Sequence, residues 1–107
     1  MTKFECVVNE LRRTAITNPL RKNADTAYYN ADGSPCCIAG HALERLGFHS
    51  FDLAGDNFTT MEFLPWESWG FEAPTVAQVN WCRAMQHYAD RRMVWIAALA
   101  AAEFALI

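Results

Sequence analysis

Hydrophobic residues recur every three or four positions along four stretches of this chain, which is the spacing of one face of an α-helix. The first stretch predicts a helix over residues 3–17. Thr2, just before it, and Glu5, in its first turn, have the spacing of a capping box. A capping-box pair also precedes the third helix, where Gln78 follows Thr75 by three positions. The other predicted helices span residues 35–46, 76–89 and 93–105.

The second predicted helix lies within residues 32–47, DGSPCCIAGHALERLG. Ser34 is a favourable N-cap, and Pro35 is tolerated at the first helical position because its missing N–H would have no partner there. Gly47 follows the last helical residue, where a left-handed conformation commonly ends a helix. These signals predict a helix over residues 35–46.

A short β-hairpin is predicted just before this helix. Residues 26–30, Thr-Ala-Tyr-Tyr-Asn, have the β-branched and aromatic content of a strand, and the Asp32–Gly33 pair supplies common hairpin-turn chemistry. With 107 residues, 52% of them hydrophobic, the chain is the size of one domain. We therefore predict a single mainly α domain over residues 1–107, bordering on α+β, with four main helices and one short hairpin.

Cysteine usage and hydropathy indicate the compartment. The four cysteines occur without the pattern of a signal sequence, since Lys3, Glu5 and Glu10 interrupt any apolar run at the N-terminus. Free thiols in a reducing cytoplasm are therefore expected. The most apolar run, residues 93–107, contains Glu103 and is shorter than the about 20 residues that a bilayer requires. We expect a soluble cytoplasmic protein without a membrane segment.

The charge of the chain is unevenly distributed. The net charge is −3, yet no Lys or Arg occurs between Arg45 and Arg83, where five acidic residues lie. Half of the aromatic residues fall within residues 48–71. An acidic surface repels phosphate, so direct nucleic-acid binding is not expected, whereas exposed aromatics here would mark a protein-binding surface. The candidate partner-binding residues are Phe58, Glu62, Phe63, Trp66, Glu67 and Trp69.

Cys37 and His41 are the main candidates for chemistry, because residues four apart share one face of a helix. A thiolate near a helix N-terminus, with the imidazole as its base, would be the nucleophile of a thiol-dependent enzyme or redox protein. A redox change of the adjacent cysteines is a related hypothesis, although a bridge between them would be strained. The chain could instead be a small metal-binding regulatory domain. The candidate zinc ligands are Cys36, Cys37, His41 and Cys82, with His49 or His87 as alternatives.

A purely structural interpretation competes with these hypotheses. In it, Cys37 is a small buried side chain, His41 is a hydrogen-bonded helix residue, and Gly40 permits a close contact against Trp81 or Tyr28. Glycine inside a helix costs about 1 kcal/mol relative to alanine, which such a contact would offset. Because neither finger-type ligand spacing nor a catalytic signature is present, we favour this interpretation and expect no catalytic residue, metal or cofactor.

A longer motif runs through the same region, Tyr-x-x-Asp-Gly-x-Pro-x-Cys-Ile-x-Gly-His-x-Leu-x-x-Leu-Gly. It resembles the motif of a family of small proteins found in actinobacteria and in the phages that infect them. A second block, a helix bearing glutamine and aspartate followed by a tryptophan and alanines, is similar to the tail of that family. The residues that carry the resemblance include Tyr29, Asp32, Gly33, Pro35, Cys37, Gly40, His41, Gly47, Trp81 and Trp95.

The resemblance implies an accessory protein of a mycobacteriophage-like genome that acts in the bacterial cytoplasm. Such proteins commonly act by binding a host protein. We therefore expect a non-catalytic protein that docks on a host protein through its acidic, aromatic segment. A homodimer through the last helix is an alternative, since its alanines at positions 97, 98, 100, 101, 102 and 105 would permit close helix approach.

Overall fold

The structure, a computed structural model, describes residues 1–104 and contains four α-helices. They are α1 (Glu5–Thr17), α2 (Ile38–Arg45), α3 (Val76–Asp90) and α4 (Trp95–Phe104). Two short 3-10 helices, Ser50–Leu53 and Met61–Phe63, lie in the irregular segment between α2 and α3. The mainly α prediction is confirmed. Ala105, the predicted last position of the fourth helix, lies outside the described residues.

Two helix ends form as their local sequence predicts. The Oγ1 atom of Thr75 accepts from the N–H of Gln78 at 3.2 Å, and the side chain of Gln78 accepts from the N–H of Thr75 at 2.9 Å. This capping box satisfies donors that the start of α3 leaves free. Gly47 follows α2 with a φ of 96°. The N–H of Phe48 then donates to the carbonyl of Leu43 at 3.0 Å, which completes a Schellman-type end.

The predicted cap of α1 is wrong, because Thr2 is engaged elsewhere. Its N–H donates to the carbonyl of Gly70 at 2.8 Å, and its carbonyl accepts from Glu72 at 2.7 Å. The N-cap of α1 is Phe4, which provides no side-chain hydrogen bond. A long-range contact with the segment before α3 therefore overrides the local capping signal.

The predicted start of α2 at Pro35 is also wrong. The hydroxyl of Ser34 donates to the carboxylate of Asp32 at 2.6 Å, so it is used in the turn and not at the helix. Cys37 is the N-cap instead, and its sulfur accepts from the backbone N–H three residues later at 3.4 Å. Helix α2 consequently begins at Ile38 and is shorter than predicted.

The hairpin predicted around the Asp32–Gly33 turn does not form strands in the described residues. The turn closes with a single antiparallel bridge between Tyr29 and Pro35. Beyond it, the N–H of Cys36 donates to the carbonyl of Tyr28 at 2.9 Å. The ladder does not lengthen, because proline has no N–H to donate and the chain enters α2 soon afterwards.

Helices α1 and α4 run antiparallel. Arg12 on α1 forms an ion pair with Glu103 near the end of α4, and at the other end the N–H of Ile96 donates to the carbonyl of Pro19 at 3.1 Å. Helix α3 packs against α4, and all four helices contribute to one hydrophobic core. Within residues 1–104, no helix has both the length and the apolar character that crossing a bilayer requires.

Gly40 marks the closest approach between α2 and the turn before it. A Cβ atom at this position would lie 1.9 Å from the carbonyl oxygen of Tyr28. The expected close contact is therefore confirmed, with Tyr28 rather than Trp81 as the neighbour. Only a residue without a side chain allows the helix to pack this closely on the backbone.

Asn23, in the polar segment after α1, is buried and joins three helices. Its Oδ1 atom accepts from the N–H of Ile38 at 3.0 Å and from the indole N–H of Trp95 at 2.8 Å. Its Nδ2 atom donates to Asp90 at 2.9 Å. One amide thus ties the start of α2, the end of α3 and the start of α4 together.

Candidate functional site

The thiol of Cys37 is buried rather than poised for chemistry. The residue is 2% exposed, and burial raises the pKa of its thiol to about 12. Its position at the start of α2, with a hydrogen bond from the N–H of Gly40, favours the thiolate but does not overcome desolvation. The thiol therefore stays protonated at neutral pH and is shielded from a substrate. This geometry supports the packing interpretation of Cys37.

His41 packs as a half-buried ring on the face of α2. Its ring lies edge-on to the indole of Trp95, with 5.2 Å between the ring centroids. Burial lowers the pKa of the imidazole, and the nearby charge of Arg21 lowers it further. His41 is therefore a neutral packing residue at neutral pH.

The four candidate zinc ligands do not form a coordination shell. Cys36 and Cys37 precede α2, whereas Cys82 lies in the middle of α3, and all three are buried. Burial raises the pKa of the Cys82 thiol to about 12. Within residues 1–104, the side chains of His, Cys, Asp and Glu form no group of three that could hold a metal ion. The alternative ligands His49 and His87 do not change this result.

The remaining motif residues are also used for packing. The hydroxyl of Tyr29 donates to the carbonyl of Phe48 at 2.9 Å and fixes the chain after α2. Trp81 is 1% exposed, and the guanidinium of Arg12 lies 5.3 Å from the centre of its ring. Trp95 is fully buried and hydrogen-bonded to Asn23. These three aromatic residues thus belong to the core of the fold, whereas Asp32 and Gly47 of the motif are exposed.

The predicted partner-binding residues separate into a core group and a surface group. Trp66 is buried, with its indole N–H donating to the carbonyl of Met61 at 2.7 Å. Trp69 is half-buried and packs on Phe48. Phe58 and Phe63, in contrast, are each 74% exposed. The exposed part of the predicted surface is therefore reduced to these two phenylalanines and Glu67, since the side chain of Glu62 is only 13% exposed.

A cleft of about 300 Å³ lies between the segment Phe58–Glu62 and the second half of α3. Phe58 stands at this cleft with an exposed ring, and Glu62 lies opposite Arg83. We call this feature the carboxylate cleft, after Glu62 and Asp90. Its lining includes Thr26, Phe58, Glu62, Arg83, His87 and Asp90.

Hydrogen bonds to α3 hold the loop side of the carboxylate cleft in place. The side chain of Gln86 accepts from the N–H of Met61 at 3.1 Å and donates to the hydroxyl of Tyr28 at 3.1 Å. The same hydroxyl donates to the carbonyl of Thr59. These contacts involve Thr59 and Met61, which lie between Phe58 and Glu62 in the sequence, so they hold this part of the loop backbone against α3.

The carboxylate cleft contains two carboxyl groups with unequal partners. Glu62 lies 3.7 Å from the Nε atom of Arg83, which is a loose ion pair, and its Oε2 atom is buried without a hydrogen bond from any described residue. Asp90 accepts a hydrogen bond from Asn23, but burial raises the pKa of its carboxyl above the ordinary value. Negative charge at this site is therefore incompletely compensated.

The α3 side of the carboxylate cleft is not among the residues predicted from the sequence. Four polar residues of α3 are spaced three, one and three positions apart, so they share one face of a predicted helix. They are Arg83, Gln86, His87 and Asp90. That periodicity was an available signal. It does not reveal which other segment lies opposite, and this is what makes the face a cleft.

This chain matches no protein-family model, no curated protein sequence and no solved structure.

Proposed function

We propose that this protein is a non-catalytic phage accessory protein that binds a host bacterial protein. The binding surface is formed by Phe58 and Phe63 with Glu62 and Glu67, and we call it the acidic aromatic surface. The observation that carries the proposal is the 74% exposure of both phenylalanine side chains on a segment without a basic residue. Exposed aromatic side chains on a charged background are typical of protein-binding surfaces.

The chemistry of this surface selects the kind of partner. Five acidic residues lie between Arg45 and Arg83, and among the described residues Glu62 alone of them has an ion-pair partner. A complementary partner therefore presents basic side chains together with an apolar side chain that covers a phenylalanine. The resemblance of the Tyr29–Gly47 motif to proteins of phages and their actinobacterial hosts supports a host protein as the partner.

The buried motif supports a binding role over a thiol enzyme. Cys37 is covered, and burial keeps its pKa near 12, so nucleophilic attack would require the start of α2 to open. The acidic aromatic surface needs no such rearrangement to meet a partner. A binding function is therefore the one that the geometry supports best.

Self-association through α4 is a second candidate, and the outer side of that helix favours it. Ile96 and Phe104 are exposed there, at 37% and 75%, with small alanines between them. Ile16 and Leu20, at the end of α1 that lies next to the start of α4, are also exposed. Sedimentation equilibrium over a range of concentrations tests this candidate, because a strictly monomeric protein would refute it.

The experiment for the main proposal compares the wild-type protein with two variants in affinity purification from the bacterial host. Wild-type protein is expected to recover one partner in fixed proportion, and the double variant Phe58→Ser/Phe63→Ser is expected to lose it. Phe51→Ser is the matched control, since it removes an equally exposed phenylalanine that neither proposed surface includes. Recovery that is unchanged in the double variant, or lost equally in the control, would refute the acidic aromatic surface as the docking site.

A further inference from the structure

The carboxylate cleft adjoins the acidic aromatic surface and shares Phe58 and Glu62 with it. The geometry points to this cleft as a binding site for the guanidinium group of an arginine side chain presented by the partner. The inference rests on the proposed function, because it names the contact by which the acidic aromatic surface recognises a basic partner.

Glu62 in the cleft has a carboxylate whose charge is only partly compensated. Its carboxylate is held among the loop and α3 with a side chain only 13% exposed, yet the Oε2 atom receives no hydrogen bond from the described residues. A buried carboxylate oxygen without a donor is destabilising, and a charged donor is the partner that compensates it best. A guanidinium group has five N–H donors in one plane, so in place of Arg83 it can donate to the Oε1 atom and compensate the charge of this carboxylate.

Arg83, which now pairs with Glu62, is a weak competitor for an incoming guanidinium. Arg83 already lies near Glu62, but its Nε atom is 3.7 Å from Oε1, beyond hydrogen-bonding distance, and its side chain is 66% exposed. An ion pair this open contributes little. An incoming guanidinium can therefore displace Arg83 at small cost.

The shape and composition of the cleft also suit an arginine side chain. Its volume of about 300 Å³ is at the lower end of ligand sites and suits one long side chain rather than a folded surface. The exposed ring of Phe58 gives a planar guanidinium a face on which to stack. Asp90, at the other end of the α3 lining, adds a second carboxylate.

The test uses purified full-length protein and N-acetyl-arginine amide as the probe, followed by ¹H–¹⁵N NMR. N-acetyl-citrulline amide is the matched neutral ligand, because it replaces the guanidinium with a urea of the same shape. We expect saturable shifts of the amides of Phe58, Glu62 and His87 with a dissociation constant on the order of millimolar. The citrulline probe is expected to cause no saturable shift. Equal binding of both probes, or shifts elsewhere on the protein, would overturn the inference.

Two variants are expected to change the affinity for the arginine probe in opposite directions. Glu62→Gln is expected to weaken binding of the arginine probe by at least about fivefold. Glu72→Gln, an exposed carboxylate outside both the cleft and the acidic aromatic surface, is expected to leave binding within about twofold. Arg83→Gln removes the internal competitor and is expected to strengthen binding by about two- to fivefold. Weaker binding in folded Arg83→Gln protein would contradict the displacement of Arg83.

This experiment separates the two proposals. Arginine binding at the cleft without recovery of a host partner would refute the host-binding proposal and leave the cleft assignment intact. Recovery of a partner through Phe58 and Phe63, with no response of the cleft to the arginine probe, would refute the cleft assignment alone.

Discussion

Replacing Gly40 by alanine tests the closest contact in the fold. The added Cβ would lie 1.9 Å from the carbonyl oxygen and 2.9 Å from the carbonyl carbon of Tyr28. A carbon atom normally lies no closer than about 3.3 Å to a carbonyl oxygen, so one of the two segments must move by more than 1 Å. Both contacting atoms belong to the backbone of Tyr28, and a rotamer change cannot relieve the overlap.

The backbone of Tyr28 has little freedom to move. Its carbonyl accepts from the N–H of Cys36 at 2.9 Å, and its N–H donates to the carbonyl of Asn57 at 3.1 Å. Overpacking of a rigid site costs about 1–3 kcal/mol, and loss of a hydrogen bond adds about 1 kcal/mol. Alanine regains about 1 kcal/mol of helix propensity. The net expectation for Gly40→Ala is a free energy of unfolding lower by about 1–3 kcal/mol, with about 2 kcal/mol as the central value.

Thermal unfolding followed by circular dichroism measures this effect. For a domain of this size, about 2 kcal/mol corresponds to a fall in Tm of about 8–16 °C. Gly47→Ala is the control, since a Cβ there meets no atom within 4 Å and only the left-handed backbone opposes it, at about 1 kcal/mol. An unchanged or raised Tm in Gly40→Ala, or a smaller loss than in the control, would refute the close packing of α2 on Tyr28.

Three further predictions follow from other contacts. Asn23→Ala leaves a buried indole N–H and a helix N–H without acceptors, so the free energy of unfolding in urea is expected to fall by about 2–5 kcal/mol. The hydrogen bond from Arg12 holds the pKa of Glu103 below its ordinary value, so an NMR titration is expected to show that pKa rising in Arg12→Met. The stability from this pair is present above the ordinary pKa of glutamate, about 4.3, and is lost as the pH falls through the lowered value. A disulfide reagent at neutral pH is expected to modify Cys6 quickly and Cys37 only on unfolding.

Each of these predictions has a contradicting result. Asn30→Ala, at an exposed site, is the control for Asn23→Ala. An equal loss of the free energy of unfolding in both variants would show that the hydrogen bonds of Asn23 do not stabilise the fold. A pKa for Glu103 that is the same in the wild type and in Arg12→Met would show that the two side chains are not paired in solution. Rapid modification of Cys37 in the folded protein would reopen the thiol-enzyme hypothesis.

The sequence predicted those features that depend on neighbouring residues. The box formed by Thr75 and Gln78 and the end of α2 at Gly47 are local, so their spacing alone determined them. The close contact at Gly40 could be predicted because a glycine inside a helix needs a compensating contact. The sequence did not decide between Tyr28 and Trp81 as the neighbour. Thr2 and Ser34 have equally good capping signals, but each is used by another contact that lies outside the helix.

The long-range features had no local signal. Asn23 lies in a polar stretch that reads as a connection, and its importance comes from Ile38, Trp95 and Asp90, which are up to 72 positions away. The carboxylate cleft likewise joins the loop around Phe58 to a helix that begins 18 residues later. Periodicity can identify a polar helix face, but it cannot indicate the segment that packs against that face.

The exposed phenylalanines distinguish positions needed for folding from positions available for binding. The loop between α2 and α3 is already anchored by Tyr28, Met61 and Trp66, which are buried and hydrogen-bonded to each other's segments. Phe58 and Phe63 add little to this anchoring, so replacing both by serine is expected to change the free energy of unfolding by no more than about 0.5 kcal/mol each. A chain that only had to fold could carry polar residues at both positions. Loss of a host partner in the double serine variant would therefore report on the proposed surface and not on unfolding.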